Sequence, residues 1–380
     1  MELIVTEEQS LLQHTAREFI TKHSSIRRLR ALRDNRDRVG FSRELWREMA
    51  KLGWQGIIFP EEHGGSGLGY ADLMVILEEL GRGLMPEPMI SSVLLGGAAV
   101  ALGGSAAQQA VVLPPLISGE LLLALAYQEA NSRYNPNHVE TRAATTAAGW
   151  QLSGEKLHVL DGYGADRLVV STRTSCATTD RSGITLFLLD ALTPGLSIER
   201  QWRIDSRNAA VVRLDKVPVT KEHVLGTVDR GGDVLATVID RATIGLCAEM
   251  LGSMTVALEM TLEYLKTRLQ FGVPIGSFQA LKHRAAELYI ETELARSAVM
   301  AAHRAIDEQS PAVPALASLA KARCSDAFVL IGNEMVQMHG GIGMTDEHDT
   351  GFFIKRARVA EMTFGDAPYH RNRYAESQSY

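Results

Sequence analysis

The sequence predicts an α+β fold in three consecutive segments: an N-terminal all-α domain over residues 1–120, a middle antiparallel β domain over 121–228, and a C-terminal four-helix bundle over 229–380. Three observations carry this. Apolar residues recur every three or four positions through the first third, the period falls to two in the middle, and long runs of helical period return after residue 233. A chain of 380 residues also exceeds the usual size of one hydrophobic core, so more than one domain is expected.

In the first segment Thr6 precedes Glu7 and Glu8 as an N-cap, and Leu11, Leu12, Ala16 and Ile20 form one apolar stripe. The stretch from Phe59 to Gly67 carries Gly64, Gly65 and Gly67 and reads as a loop before a helix starting near Tyr70. In the middle segment, apolar runs at 167–171, 184–189 and 210–214 are separated by turn residues at Gly154, Gly162, Pro194 and Gly195. In the last segment, Val234 to Leu265, Phe278 to Glu308 and Ala315 to His339 are each long enough for a bundle helix.

Composition narrows the function. A net charge of −6, with 46% hydrophobic and 22% charged residues, is that of an ordinary globular protein and argues against a nucleic-acid partner. The basic stretch Arg27 to Arg38 is interleaved with Asp34 and Asp37 and reads as a solvated helix face without a function. Cys176, Cys247 and Cys324 lie far apart with no C-x-x-C spacing, so neither a disulfide framework nor a zinc site is expected. His339, His348 and His370 match no metal-ligand spacing, and no metal is expected. The apolar stretch 89–104 is broken by glycine and serine and is short for a bilayer span, and no secretory signal opens the chain. A cytoplasmic protein without a membrane partner is expected. No G-x-S-x-G elbow and no G-x-x-x-x-G-K-[ST] loop is present, which removes hydrolase and NTPase readings.

Three ordered motifs stand out in the last third. The first is Arg268-Leu-Gln270-Phe271-Gly272 followed by Phe278-Gln279, in which a guanidinium can fork onto pyrophosphate oxygens and a phenyl ring offers a flat apolar face. The second is the run from Gln337 to Thr345, with Gly340 and Gly341 allowing close backbone approach. The third runs from Lys355 to Arg358, through Phe364-Gly365-Asp366, to Arg371. In this order they resemble the acyl-CoA dehydrogenase family over nearly the whole chain. Within it the chain resembles small subunits of bacterial heteromeric acyl-CoA dehydrogenases acting on pimeloyl-CoA or steroid side chains.

The resemblance implies FAD as cofactor, its adenine half shared with a neighbouring subunit. It gives cofactor contacts to Arg268, Gln270, Phe271, Gln279, Gln337, Gly340, Gly341, Glu129 and Asp366, and substrate contacts to Arg241 and Tyr134. It also implies an acyl-CoA substrate, an electron-transferring flavoprotein as acceptor, and assembly as a homotetramer or as an α2β2 heterotetramer with a paralogous acyl-CoA dehydrogenase subunit. The flavin side departs from the family. Where the family reads Thr-Glu-Pro-x-x-Gly-Ser-Asp, this chain has Gln128 to Asn135 and keeps only Glu129; where it reads Trp-Ile-Thr, this chain has His158-Val159-Leu160.

Dehydrogenation needs a desolvated carboxylate to remove the α-proton of the thioester. The family's main position for it is Phe364 here, which cannot accept a proton. A subset of the family carries the base immediately before an Arg on a bundle helix, and Asp240-Arg241 stands there, so Asp240 is the expected base. Asp366 and Glu361 are alternatives, and pairing of Asp240 with Arg241 is the structural one. Being one methylene shorter than glutamate, Asp240 suits a bulky or branched acyl group, for which small Ser91, Ser92, Gly96 and Gly97 leave room. Two other readings stand beside this one: a non-catalytic subunit completing a partner's FAD site, and a flavin monooxygenase or oxidase on the same fold.

Overall fold

A computed structural model of the chain describes residues 4–380. Helices α1 (Glu7–His23), α2 (Ile26–Asp34), α3 (Arg43–Lys51), α4 (Tyr70–Arg82), α5 (Ala98–Gly103) and α6 (Ala106–Ile117) come first, with a π-helix at Met89–Gly97. Strands β1 (Leu123–Ala126), β2 (Arg142–Thr146), β3 (Gly149–Leu160), β4 (Arg167–Arg173), β5 (Ile184–Asp190), β6 (Leu196–Trp202), β7 (Asn208–Val219) and β8 (Val224–Leu225) follow. The remainder is α7 (Gly231–Thr267), a ribbon of β9 (Leu269–Gln270) and β10 (Val273–Pro274), α8 (Gln279–Asp307), α9 (Val313–His339), α10 (Thr350–Met362) and α11 (Ala367–Ser377). Thr6 caps α1 as its sequence predicts, its hydroxyl accepting from Gln9 N at 3.2 Å while Gln9 Oε1 accepts from Thr6 N at 3.1 Å.

Contacts group the chain into two units, one of Met1–Arg30, Tyr70–Met85 and Thr243–Tyr380, the other of Ala31–Gly69 and Pro86–Ala242. In the first, α4 and α7 cross with their backbones touching. A Cβ on Gly252 would overlap the Glu78 carbonyl oxygen and one on Gly81 the Glu249 carbonyl oxygen, and Ser253 Oγ donates to Gly81 O at 2.8 Å. Three buried carboxylates flank this crossing. Each has an arginine: Glu78 with Arg296 at 2.7 Å, Glu79 with Arg17 at 2.6 Å and Glu249 with Arg356 at 2.8 Å. A buried charge without such a partner costs several kcal/mol, so these arginines are part of the fold.

In the second unit the sheet runs β6-β7-β3-β2-β4-β5-β8, with β1 also paired to β4. Pairing is antiparallel as expected, except that β1 and one residue of β2 run parallel to β4. The long connection from β1 through the β2–β3 hairpin returns the chain in the same direction, which a parallel pair requires. One face packs Leu152, Val159, Leu168, Val170, Phe187, Val212 and Val217 into a core. Register shifts in the β3–β7 ladder fall between Leu152 and Gly154 and between Lys156 and Val159. The second is a bulge in which His158 takes a left-handed φ of 52°.

Candidate active site

In the second unit, Glu129 is buried and its carboxylate is fully engaged. Its oxygens accept from Lys156 Nζ at 2.6 Å, Thr141 Oγ1 at 2.6 Å, Thr141 N at 3.0 Å and Glu140 N at 2.5 Å. Burial alone would raise this carboxyl, but the Lys156 ammonium and the hydrogen bonds outweigh it and hold it below the usual range. Burial pushes the Lys156 ammonium down to about 8 against the pull of Glu129, so both are charged at neutral pH. Within the chain the Glu129 carboxylate pins the loop after β1 to the start of β2 and to β3. Tyr134, in that loop, is covered by Arg133, whose guanidinium carbon lies 4.9 Å from the ring centroid.

Sequence reasoning missed Lys156, although it shares strand parity with the core residue Leu152 on β3. It also missed Asp161, directly after the His158-Val159-Leu160 element. Asp161 has a left-handed φ of 53° and accepts from Ser91 Oγ at 2.5 Å, which ties the end of β3 to the π-helix. Ser92, its neighbour, accepts from Leu123 N at 2.9 Å and fixes the same π-helix to β1. Short π segments recur at functional sites, and this one holds the four small residues expected to shape an acyl pocket. Asp240 lies on α7, is 5% exposed and is followed by half-buried Arg241. A carboxylate withdrawn from water in this way is the group that proton abstraction needs.

In the first unit the remaining predicted cofactor residues gather at one end of the bundle. The α7 ring Tyr264 stacks on the α9 ring His339, with centroids 4.4 Å apart. Tyr264 thereby places the loop that begins at Arg268 beside the turn at Gly340 and Gly341. Arg268, Gln270, Gln279 and Gln337 are exposed there, and Phe271 is 91% exposed with a left-handed φ of 54°. A Cβ added to Gly340 or Gly341 would meet nothing within 4 Å, so the chain itself does not crowd this turn. An exposed guanidinium, an exposed ring and two open glycines fit the adenine and pyrophosphate half of FAD, and nothing in the end of the bundle obstructs it.

The turn after α10 replaces the family's glutamate with buried Phe364 at a φ of 64°, followed by Gly365 at 119°. Its backbone is held by two buried side chains. Lys321 Nζ donates to Gly365 O at 2.7 Å, Glu361 O at 2.8 Å and Ser325 Oγ at 3.0 Å, and burial pushes this ammonium down to about 8. His370 sits between Phe364 O at 3.1 Å and Ser318 Oγ at 3.3 Å, and burial drives its imidazole down to about 3, so it is neutral. Asp366 caps α11, its Oδ1 accepting from Tyr369 N at 3.0 Å. Glu361 pairs with Arg358 at 3.3 Å. Cys247 and Cys324 are buried as thiols and Cys176 is exposed.

The comparisons give the family and the fold. Residues 6–120 match the model of the acyl-CoA dehydrogenase N-terminal domain, and residues 229–378 that of the C-terminal domain. The chain is similar to acyl-CoA dehydrogenase IpdE2 of Mycolicibacterium smegmatis, 30% identical over 95% of this chain and 96% of that protein. Among solved structures it is similar to a variant of the Tcur3481-Tcur3483 steroid ACAD, with 32% identity, a TM-score of 0.87 and coverage of 99% and 100%. The ChsE4-ChsE5 complex from Mycobacterium tuberculosis is similar at 27% identity and a TM-score of 0.90, with coverage of 100% and 99%. The chain belongs to the acyl-CoA dehydrogenase family of FAD-dependent oxidoreductases.

Proposed function

We propose that this chain is an acyl-CoA dehydrogenase subunit in which Asp240 removes the α-proton of a bulky or branched acyl-CoA, giving the trans-2-enoyl-CoA. The observation that carries this is the buried carboxylate of Asp240 directly before Arg241, in a chain whose other family position for the base holds Phe364. When bound, FAD would supply the acceptor for the β-hydrogen, which leaves as hydride. Asp240 takes the α-proton, and burial keeps water from competing for it. Arg241 and Tyr134 are the proposed substrate contacts. Arg268, Phe271, Gln270, Gln279, Gln337 and the backbone at Gly340 and Gly341 hold the adenine half.

A steroid or similarly bulky acyl group fits two things: the small side chains of the π-helix, and the likeness to a steroid ACAD. Assembly with a paralogous subunit, with an electron-transferring flavoprotein as acceptor, is supported by the exposed adenine-side residues and by the likeness to a two-protein complex. A second reading, a subunit that completes a partner's FAD site without catalysing, is favoured by the loss of the aromatic and hydroxyl side chains at His158-Val159-Leu160. Purification alone and with a co-expressed paralogue separates the two. Flavin absorbance that is bleached anaerobically by an acyl-CoA in the chain purified alone supports catalysis by this subunit. Flavin present only in the co-purified complex, and bleached there even when Asp240 is replaced by Asn, supports the second reading.

A further inference from the structure

The basic stretch that the sequence presents as a solvated face is one wall of a cavity. Within the second unit, Arg33, Arg36 and Asp37 face Trp202 and Arg203 across a cavity of about 360 Å3. That volume lies at the small end of the range for ligand sites. Trp202 is 57% exposed at the end of β6, an unusual position for the largest apolar side chain. One face of its indole is covered by Arg200, whose guanidinium carbon lies 5.0 Å from the ring centroid.

The charges are unevenly balanced. Arg33 pairs with Asp34 at 2.7 Å and Arg203 with Asp205 at 3.5 Å. Asp37, the one acidic residue in the wall, already accepts from Val39 N at 2.9 Å and Gly40 N at 2.7 Å through a single oxygen. Arg36 is exposed, its backbone N donates to Arg33 O at 3.1 Å, and its guanidinium forms no hydrogen bond or ion pair among the described residues; its left-handed φ of 46° fixes it just past the end of the helix that lines the cavity.

Beneath this surface the polar groups are incompletely bonded. Nε and Nη2 of Arg200 and Oε1 of Gln201 are buried and have no hydrogen-bond partner. Buried polar atoms are nearly always satisfied, so these two donors and one acceptor, on residues beside Trp202 rather than in the cavity lining, leave the strand under the indole strongly polar. Neither Arg36 nor Trp202 belongs to the residues assigned above to FAD or acyl-CoA.

We propose that the cavity between Arg36 and Trp202 is a second ligand site, which takes a phosphomonoester carried on a planar ring, as in a nucleoside monophosphate. The guanidinium of Arg36, with Arg33 and Arg203 beside it, receives the phosphate, since arginine forks match phosphate oxygens in pairs. The open face of Trp202 receives the ring. Arg200, behind the indole, supplies further positive charge. No bond is made or broken.

Calorimetric titration of the FAD-loaded enzyme with AMP, adenosine and inorganic phosphate tests this. AMP is expected to bind saturably at one per chain, with adenosine and phosphate each at least about 10-fold weaker. Arg36→Asn keeps a residue that tolerates the left-handed backbone, and it should weaken AMP and phosphate alike by about 10-fold or more, the scale of one charge-assisted hydrogen bond. Trp202→Ala should weaken AMP but not phosphate. Both positions are exposed, so the variants should keep their thermal midpoint and their acyl-CoA oxidation. Absence of saturable AMP binding overturns the proposal, as does AMP affinity unchanged in both variants. If an acidic peptide binds at the cavity and AMP fails to displace it, the proposal is also overturned in favour of a protein partner.

Discussion

Asp161 shows how one side chain gives the molecule a measurable dependence on pH. Burial raises its carboxyl to about 6, against the hydrogen bond from Ser91 and the charges of Arg207, Arg203 and Arg200. The folded chain therefore holds this proton more tightly than the unfolded chain, whose aspartate titrates near 4. The contribution is fully present below about pH 4 and is lost as pH rises through about 6. Asp161→Asn keeps an oxygen for Ser91, tolerates the left-handed backbone and cannot ionise. Its urea midpoint should match that of the parent at pH 4 and exceed it at pH 8, by an amount on the order of 1 kcal/mol. An equal difference at both pH values would contradict the account. At this scale the sequence was read unevenly. Thr6 was legible because a cap depends on its own neighbours, whereas the ion pair of Glu129 was not, because its partner Lys156 is 27 residues away. Asp366 was legible as a helix cap from its local sequence, yet its place in a family motif suggested a cofactor contact.

At the scale of elements, the α4–α7 crossing depends on Gly81 and Gly252 lying against opposing backbone. Gly252→Ala inserts a methyl group where the Glu78 carbonyl stands, so the helices must separate and the arginine pairs of Glu78 and Glu249 must stretch. Thermal or urea unfolding should show a loss of about 3 kcal/mol or more, while an alanine at open Gly341 should leave stability nearly unchanged. The lengths of α7, α8 and α9 were legible because helical period persists over many residues. The reciprocal glycines were not, since a glycine inside a helix reads as a weak spot until the partner backbone is seen. Nor was the role of Lys321, which joins α9 to the turn at Gly365 across 44 residues. The π-helix was legible only as a small, apolar stretch, and the partners of Ser91 and Ser92, Asp161 and Leu123 N, are distant in sequence.

At the scale of the molecule, one unit exposes a large apolar surface: Leu269, Phe271, Val273, Phe278, Ile342 and Met344 lie at or beside the adenine-side motifs. Exposed apolar patches on this scale mark interaction surfaces. Light scattering is expected to give a particle larger than the 380-residue monomer. Phe271→Asp should reduce retained flavin by about 10-fold, the cost of losing one stacking partner, and shift the particle toward monomer. The sequence made the fold order legible, and the motifs expected to hold the adenine side stood out because they are contiguous and exposed. The catalytic side was less legible, because the proposed base on α7 and the Phe364 turn lie in different parts of the chain. The central claim is that Asp240 is the base. Asp240→Asn in the assembled FAD-loaded enzyme, mixed anaerobically with an acyl-CoA it oxidises, should bleach the flavin about 100-fold to 10,000-fold more slowly with its visible spectrum otherwise intact; bleaching at the parent rate would contradict the account.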